Sequence, residues 1–131
     1  MPELRREDVE LLLSTYAWSL DTTVPEAVAA TFASDAVLQT PTGTYHGTAE
    51  IAAFAEGSSL ADRGWQHWTG NIQFQQLSED SGSVRSYVAV LDTHAEPPQI
   101  VAAGVYLDEL GYIDGRWAFR SRRWAAMPPA Q

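Results

Sequence analysis

Three residues of this chain have side chains suited to proton transfer: Asp21, His67 and His94. Imidazole gains and loses a proton near neutral pH, so it can take a proton from carbon or protonate a leaving hydroxyl. A neighbouring carboxylate holds such a ring in one tautomer. The trio therefore predicts acid–base chemistry, with His67 as the base, His94 as the partner acid and Asp21 as the residue that orients His94. The remaining histidine, His46, precedes Gly47 and is interpreted as a turn residue.

The relative position of His67 and His94 depends on one hairpin. A four-residue loop would let Ser78 pair with Ser83, and His67 would then lie directly opposite His94 on the same face. A five-residue loop, or one uncompensated bulge, would send the two imidazoles to opposite faces.

The strand that carries His67 also predicts contacts to the substrate. Side chains alternate along a strand, which places Trp65 and Asn71 on the face of His67. The full set of predicted substrate-binding residues is Tyr16, Phe54, Trp65, Asn71 and Tyr106.

Contact between subunits is predicted from two features. Trp68, Ile72 and Phe74 take the face opposite to His67, and in a monomer they would leave an apolar patch in water, so we expect a homodimer or another homo-oligomer. The last strand carries four arginines, interpreted as partners in surface or intersubunit ion pairs: Arg116, Arg120, Arg122 and Arg123.

The elements that position these residues follow from hydrophobic periodicity. Apolar residues from Val9 to Leu20 recur at helical spacing, a second helix begins at Pro25, and a third spans about 49–60. A short strand over 36–40 lies between the second and third helices, and strands are predicted near 64–77, 83–95, 99–112 and 116–126. Helices followed by a long meander predict an α+β fold, cone-shaped, with three N-terminal helices packed on a curved, mainly antiparallel sheet that encloses a pocket.

Length and composition exclude several functional classes. The 131 residues predict a single domain over 1–131. A net charge of −9, with no lysine, disfavours nucleic acid and anionic membranes as partners, and the expected pocket would admit a small-molecule substrate. The chain has no cysteine, no apolar run near the ~20 residues of a membrane span and no apolar signal core, so a cytoplasmic location is expected.

Neither a metal nor a cofactor is predicted. Two histidines and one carboxylate have the composition of a non-haem metal site, but Asp21, His67 and His94 lack the close spacing that usually supports one. The chain also lacks a glycine-rich phosphate loop.

The order of these motifs resembles scytalone dehydratase and the broader SnoaL-like polyketide-cyclase group of the nuclear-transport-factor-2-like superfamily. The residues that carry the resemblance are Ser19-Leu20-Asp21, Gln66-His67, Tyr87 followed by His94, and Ile113-Asp114-Gly115-Arg116-Trp117. The resemblance implies a cone-shaped fold and catalytic roles for Asp21, His67 and His94. The sequence departs from scytalone dehydratase at Leu20 and Thr40, which match its carbonyl-binding tyrosines, and at Tyr106, which matches a pocket asparagine.

The predicted function is that of a cofactor-independent dehydratase or isomerase. Its substrate would be a small, largely apolar, oxygenated molecule such as a polyketide or terpenoid intermediate, with Tyr16 or Tyr106 as a carbonyl donor. The first alternative is a non-catalytic small-molecule-binding or assembly module of the same fold. The second is an epoxide hydrolase or cyclase, which would need two carboxylates about a water, and only Asp21 is well placed.

Overall fold

A computed structural model of the chain, which describes residues 2–129, shows helices followed by strands. The helices are α1 (Arg6–Asp21), α2 (Pro25–Ala30), α3 (Gly47–Ser58) and the short α4 (Leu60–Arg63). The strands are β1 (Phe32–Thr40), β2 (Gly43–His46), β3 (Trp65–Ser78), β4 (Ser81–Asp92), β5 (Gln99–Ile113) and β6 (Arg116–Ala125).

The strands form one six-stranded sheet in the order β2-β1-β6-β5-β4-β3. Neighbouring strands are antiparallel except β1 and β6, which are parallel. Irregularities of register interrupt four of the five ladders, and such bulges bend and twist a sheet. The α+β fold, with its helices on a curved and mainly antiparallel sheet, is confirmed.

Helix α1 places its last residue against the edge strand of the sheet. The apolar stripe predicted from Val9 to Leu20 is buried, and it packs the helix on the inner face of the sheet. Glu7 and Asp8 lie in the first turn, where negative charge stabilises a helix, and Asp8 accepts a hydrogen bond from the Arg5 backbone N–H at 3.0 Å. Because α1 contacts β3, Asp21 lies beside that strand.

A bulge changes the alternation of side chains along β3. Gly70 pairs with Tyr87 but Gln73 pairs with Arg85, so β3 has one extra residue. Asn71 adopts a left-handed conformation there, with φ +50°, and its side chain is exposed. The prediction that Asn71 shares the face of His67 is therefore wrong.

The same bulge turns Ile72 and Phe74 inward. Both side chains are half-buried and pack against the core, and the guanidinium of Arg6 lies 5.6 Å from the centre of the Phe74 ring. The prediction that these two residues share an outer face with Trp68 is wrong. Of the three residues, Trp68 alone is exposed.

The turn between β3 and β4 is tighter than predicted. Ser78 pairs with Ser81, and the Ser78 hydroxyl donates to Asp80 Oδ1 at 2.9 Å within the turn. This shorter turn moves the partner of His67 by two residues, and the register shifts at 70–73 and 76–78 of β3 move it by one residue each. His67 therefore lies opposite Val90, and the prediction that it opposes His94 is wrong. Strand β4 ends at Asp92, because Asp92 Oδ1 accepts the backbone N–H of His94 at 2.9 Å and closes a turn.

Within residues 2–129, no helix is both long enough and apolar enough to cross a membrane.

Candidate active site

Asp21 and His67 form a hydrogen-bonded pair between the end of α1 and the edge strand β3. Oδ1 of Asp21 lies 2.7 Å from Nδ1 of His67, and Oδ2 accepts the backbone N–H of His67 at 2.9 Å. An edge strand has backbone groups free to bond outside the sheet, and here the carboxylate uses one of them. The side chains are only 9% (His67) and 14% (Asp21) exposed. The carboxylate thus binds both the ring and the backbone of His67, in a largely buried environment.

The contact determines which imidazole nitrogen is available for chemistry. An ionised carboxylate accepts hydrogen bonds and cannot donate them, so Nδ1 of His67 carries the proton. Nε2 then keeps its lone pair, which is the arrangement required of a general base. The carboxylate of Asp21 orients His67, rather than His94 as the sequence predicted.

A cavity of about 350 Å³ lies at this pair, between the C-terminal turn of α1 and the start of β3. We call it the dyad cavity; its walls include Asp21, His67 and three tryptophans, Trp18, Trp65 and Trp68. Trp18 and Trp68 are 73% and 60% exposed, so two large apolar rings stand at an opening to solvent. Both the volume and the aromatic walls suit a small, largely apolar molecule.

His94 lies beside the dyad cavity but is exposed. Thr93, which lines the cavity, ties this segment to β3 by donating its backbone N–H to the carbonyl of Gly64 at 3.0 Å. The ring of His94 covers Gly64 so closely that a Cβ there would overlap it, and Gly64 has a left-handed φ of +67°. The structure therefore places His94 near the site without opposing it to His67.

Tyr16 and Tyr106 lie in the core next to the pair and do not line the dyad cavity. Their ring centres are 6.1 Å apart in an edge-to-face arrangement. Burial raises the pKa of Tyr16 to about 12 and the pKa of Tyr106 well above its usual value, so both phenols stay protonated. The charge of Asp21 contributes to the rise at Tyr16, which places that phenol within electrostatic reach of the dyad.

Of the other predicted substrate-binding residues, Trp65 lines the dyad cavity and Phe54 does not. The ring of Phe54 packs on Tyr45 at 4.7 Å between centres, so it braces α3 against β2. The ring of Trp65 is half-buried under the guanidinium of Arg63, which lies 4.9 Å from the ring centre.

The sequence analysis missed a buried ion pair on the inner face of the sheet. Arg122, interpreted as a surface arginine, is 1% exposed, and its Nε lies 3.1 Å from Oδ1 of Asp108. The interpretation of Arg122 as a surface residue is wrong, because Asp108 faces it across the β5–β6 ladder and both project toward α1. The available signal was the position of Asp108 on the strand face that also carries Tyr106 and Leu110, at every second residue.

Three larger depressions, of about 490, 600 and 660 Å³, lie elsewhere on the described surface, and none of them is lined by a histidine. Among residues 2–129, no three histidine, aspartate or glutamate side chains converge to hold a metal ion. The dyad cavity is therefore the depression at which the proton-transfer groups meet.

Comparison of the fold with solved structures gives close superpositions. A scytalone dehydratase candidate from Novosphingobium aromaticivorans is 28% identical, with a TM-score of 0.78 over 95% of this chain and 87% of that chain. ActVI-ORFA from Streptomyces coelicolor is 26% identical, with a TM-score of 0.76 over 91% and 94% of the two chains. A nuclear-transport-factor-2-like protein with a cystatin-like fold, also from N. aromaticivorans, is 19% identical, with a TM-score of 0.85 over 95% and 83%.

Comparison of the sequence with family models identifies the domain. No curated protein matches the chain. The model of the SnoaL-like domain matches residues 4–123, which include α1, the whole sheet up to Arg123 and both members of the dyad. The chain therefore belongs to the SnoaL-like domain family.

Proposed function

We propose that the protein is a cofactor-independent lyase or isomerase in which His67 removes a proton from carbon. The observation that carries this function is the two-point contact of Asp21 with His67, at 2.7 and 2.9 Å, on the wall of the dyad cavity. The carboxylate holds the proton on Nδ1, so Nε2 is the basic atom. Removing water from the pair strengthens the electrostatic interaction that orients the ring.

The reaction follows from the groups present. Nε2 of His67 takes a proton from a carbon made acidic by a neighbouring carbonyl. In a dehydration, the electron pair of the broken C–H bond forms a C=C bond and expels a β-hydroxyl group, which leaves with the proton as water. In an isomerisation, the proton returns to a different carbon. His94, exposed beside the cavity, is a second proton donor that water can replace.

The substrate class is small, largely apolar and oxygenated. Trp18, Trp65 and Trp68 offer aromatic surface, and the cavity volume of about 350 Å³ limits size. The name of the N. aromaticivorans neighbour, a scytalone dehydratase candidate, supports an elimination.

A panel of small β-hydroxyketones and 1,3-diketones in D₂O tests the proposed function. We expect the protein to speed the loss of α-proton signals in ¹H NMR spectra and, for the hydroxyketones, to produce alkene signals. Tryptophan fluorescence, which reports on the rings at the cavity, measures binding in the same samples. Binding without any acceleration over buffer would contradict the proposed function and support the alternative, a non-catalytic binding module.

A further inference from the structure

The side chain of Trp18 stands between the dyad cavity and a second depression of about 340 Å³. We call the second one the α1–α2 depression, because its walls include Ser14 and Ser19 of α1 and Ala27 of α2. Trp18 and Thr22, four residues apart at the end of α1, line both depressions. The dyad cavity and the α1–α2 depression therefore adjoin at a boundary made by these two residues.

Of the three tryptophans in the dyad cavity, Trp18 is the one whose ring is not held in place. Trp68 donates its indole N–H to Oε1 of Gln66 at 3.0 Å, and Trp65 packs on the core beneath the guanidinium of Arg63. Within residues 2–129, the indole of Trp18 forms no hydrogen bond, ring contact or cation contact, and the residue is 73% exposed. Exposed side chains change rotamer within nanoseconds. The ring of Trp18 can therefore swing away while the other two rings stay.

The backbone beside Trp18 is fixed, so movement of the ring leaves the dyad in place. The hydroxyl of Thr22 donates to the carbonyl of Trp18 at 2.6 Å, and the N–H of Thr22 donates to the same oxygen at 3.0 Å. Asp21, between them, is held by its two contacts with His67. The boundary can thus open by rotation of one side chain, without any change at the base.

The α1–α2 depression suits an apolar group. No charged side chain is found among the described residues that line it, and Val24 and Ala27 are apolar. Three hydroxyls in its walls donate back to carbonyls of α1, those of Ser14 at 3.2 Å, Ser19 at 2.6 Å and Thr22 at 2.6 Å. Hydroxyls bonded in this way offer a ligand no further donor, so burial of apolar surface is the main interaction available there.

We propose that Trp18 is a movable wall that lets an apolar chain of the ligand pass from the dyad cavity into the α1–α2 depression. This inference rests on the proposed function and narrows its substrate class to ketones that carry such a chain. The carbonyl end lies at the dyad, and each methylene group that enters the α1–α2 depression leaves water, which strengthens binding. Trp18 is then a specificity-determining residue and takes no part in proton transfer.

A series of phenyl ketones of increasing chain length tests the movable wall. We expect calorimetry to show that affinity for the wild type rises from acetophenone through butyrophenone to hexanophenone, about 2- to 4-fold for each added methylene. Movement of the ring is followed by ¹⁹F NMR of protein labelled with 5-fluorotryptophan. The signal of Trp18, identified by its loss in Trp18→Phe, should shift with hexanophenone and much less with acetophenone.

Filling the α1–α2 depression should remove the gain with chain length. Ala27→Phe places a ring inside it, so hexanophenone should bind no better than acetophenone. Ala30→Phe, at an exposed residue of the same helix outside both depressions, is the matched control and should keep the gain. Ser14→Phe is the second blocking variant; it changes an exposed residue of α1, so the core stays intact and the test holds even if Ala27→Phe does not fold.

Three results would overturn the movable wall. They are equal or no binding of the three ketones by the wild type, an undiminished gain with chain length in Ser14→Phe, and a Trp18 signal that hexanophenone does not shift. Each would show that no ligand chain passes Trp18.

The His67→Gln variant separates this inference from the proposed function. It should keep the gain with chain length and lose α-proton exchange. If it keeps full exchange, the proposed function fails while the movable wall stands. If it loses exchange while the wild type shows no gain with chain length, the movable wall alone is overturned.

Discussion

The carboxylate of Asp21 binds His67 through both of its oxygens, one on the ring at 2.7 Å and one on the backbone N–H at 2.9 Å. The backbone contact anchors the carboxylate to the edge of β3, and the ring contact then sets the tautomer. The residues are 46 positions apart in the chain, so only the packing of α1 on β3 brings them together.

Replacing Asp21 by asparagine should change the tautomer of His67. The amide can donate to Nδ1, which would move the proton to Nε2 and remove the base. We expect turnover to fall by up to about 10⁴-fold, the effect of the same change beside the catalytic histidine of a serine protease, where it also traps the wrong tautomer. The ¹⁵N NMR signals of the ring should show Nδ1 protonated in the wild type and Nε2 protonated in Asp21→Asn. Asp35→Asn, at an exposed aspartate on β1, should leave both ring signals and turnover unchanged.

Burial of Asp108 should give the protein a distinctive pH dependence of stability. Burial raises the pKa of Asp108 from 3.8 to about 6, although Arg122 opposes the rise. The folded state therefore binds a proton more tightly than the unfolded state. The resulting stabilisation is fully present below about pH 4 and is lost as pH rises through about 6. Across this range the free energy of unfolding falls by about 3 kcal/mol.

Urea unfolding at pH 4 and pH 7 measures this effect. Asp108→Asn lacks the titrating group. The free energy of unfolding of the wild type should therefore rise by up to about 3 kcal/mol relative to that of the variant as pH falls from 7 to 4. Titration of the other carboxylates occurs in both proteins and cancels in the difference. A difference that does not vary with pH would show that Asp108 titrates normally in the folded protein.

His94 should matter less than His67. It is exposed beside the dyad cavity, so water can supply the proton that it would donate. We expect His94→Ala to lower turnover by about 10-fold or less, below the usual effect of removing a general acid. A loss in steady-state turnover as large as that of His67→Ala would instead make His94 an obligatory acid.

We still expect a homodimer, but the apolar surface available for the dimer contact is smaller than the sequence suggested. Trp68 and Tyr87 are diagonal neighbours on the outer face of β3 and β4, and both are about half exposed or more. Tyr87→Glu should weaken the dimer, whereas Leu11→Glu, a matched change at an exposed residue of α1, should not. Analytical sedimentation at micromolar concentration measures both, and a monomeric wild type would contradict the prediction.

Hydrophobic periodicity predicted the helices and strands because burial of one face determines both patterns. The stripe from Val9 to Leu20 is buried as expected, and β3, β5 and β6 have nearly their predicted bounds. The pairing register of β3 with β4 was harder to predict, because it depends on single residues at bulges and turns. Asn71 in the left-handed region adds a bulge, and the Ser78–Ser81 turn is two residues shorter than the predicted loop between Ser78 and Ser83. Asparagine tolerates that conformation better than most residues, and this was the one local signal of the bulge.

The candidate site was predicted in its residue types and not in its contacts. Asp21 and His67 were both expected, but Asp21 was assigned to His94, since a sequence does not show which strand a helix end contacts. Arg122 was missed because an arginine is usually exposed unless it is paired. Its partner Asp108 on β5 offsets part of the desolvation cost of burying the guanidinium.

The most direct measurement of the central claim is chemical rescue of His67→Ala by free imidazole. We expect the variant to lose α-proton exchange 10²- to 10⁴-fold, while His46→Ala, which removes an exposed ring at the start of α3, keeps full exchange. Added imidazole should restore exchange in His67→Ala in proportion to its concentration and should not accelerate the wild type. Exchange in His67→Ala equal to that of the wild type, or no rescue in a variant that folds and binds ligand normally, would contradict His67 as the base.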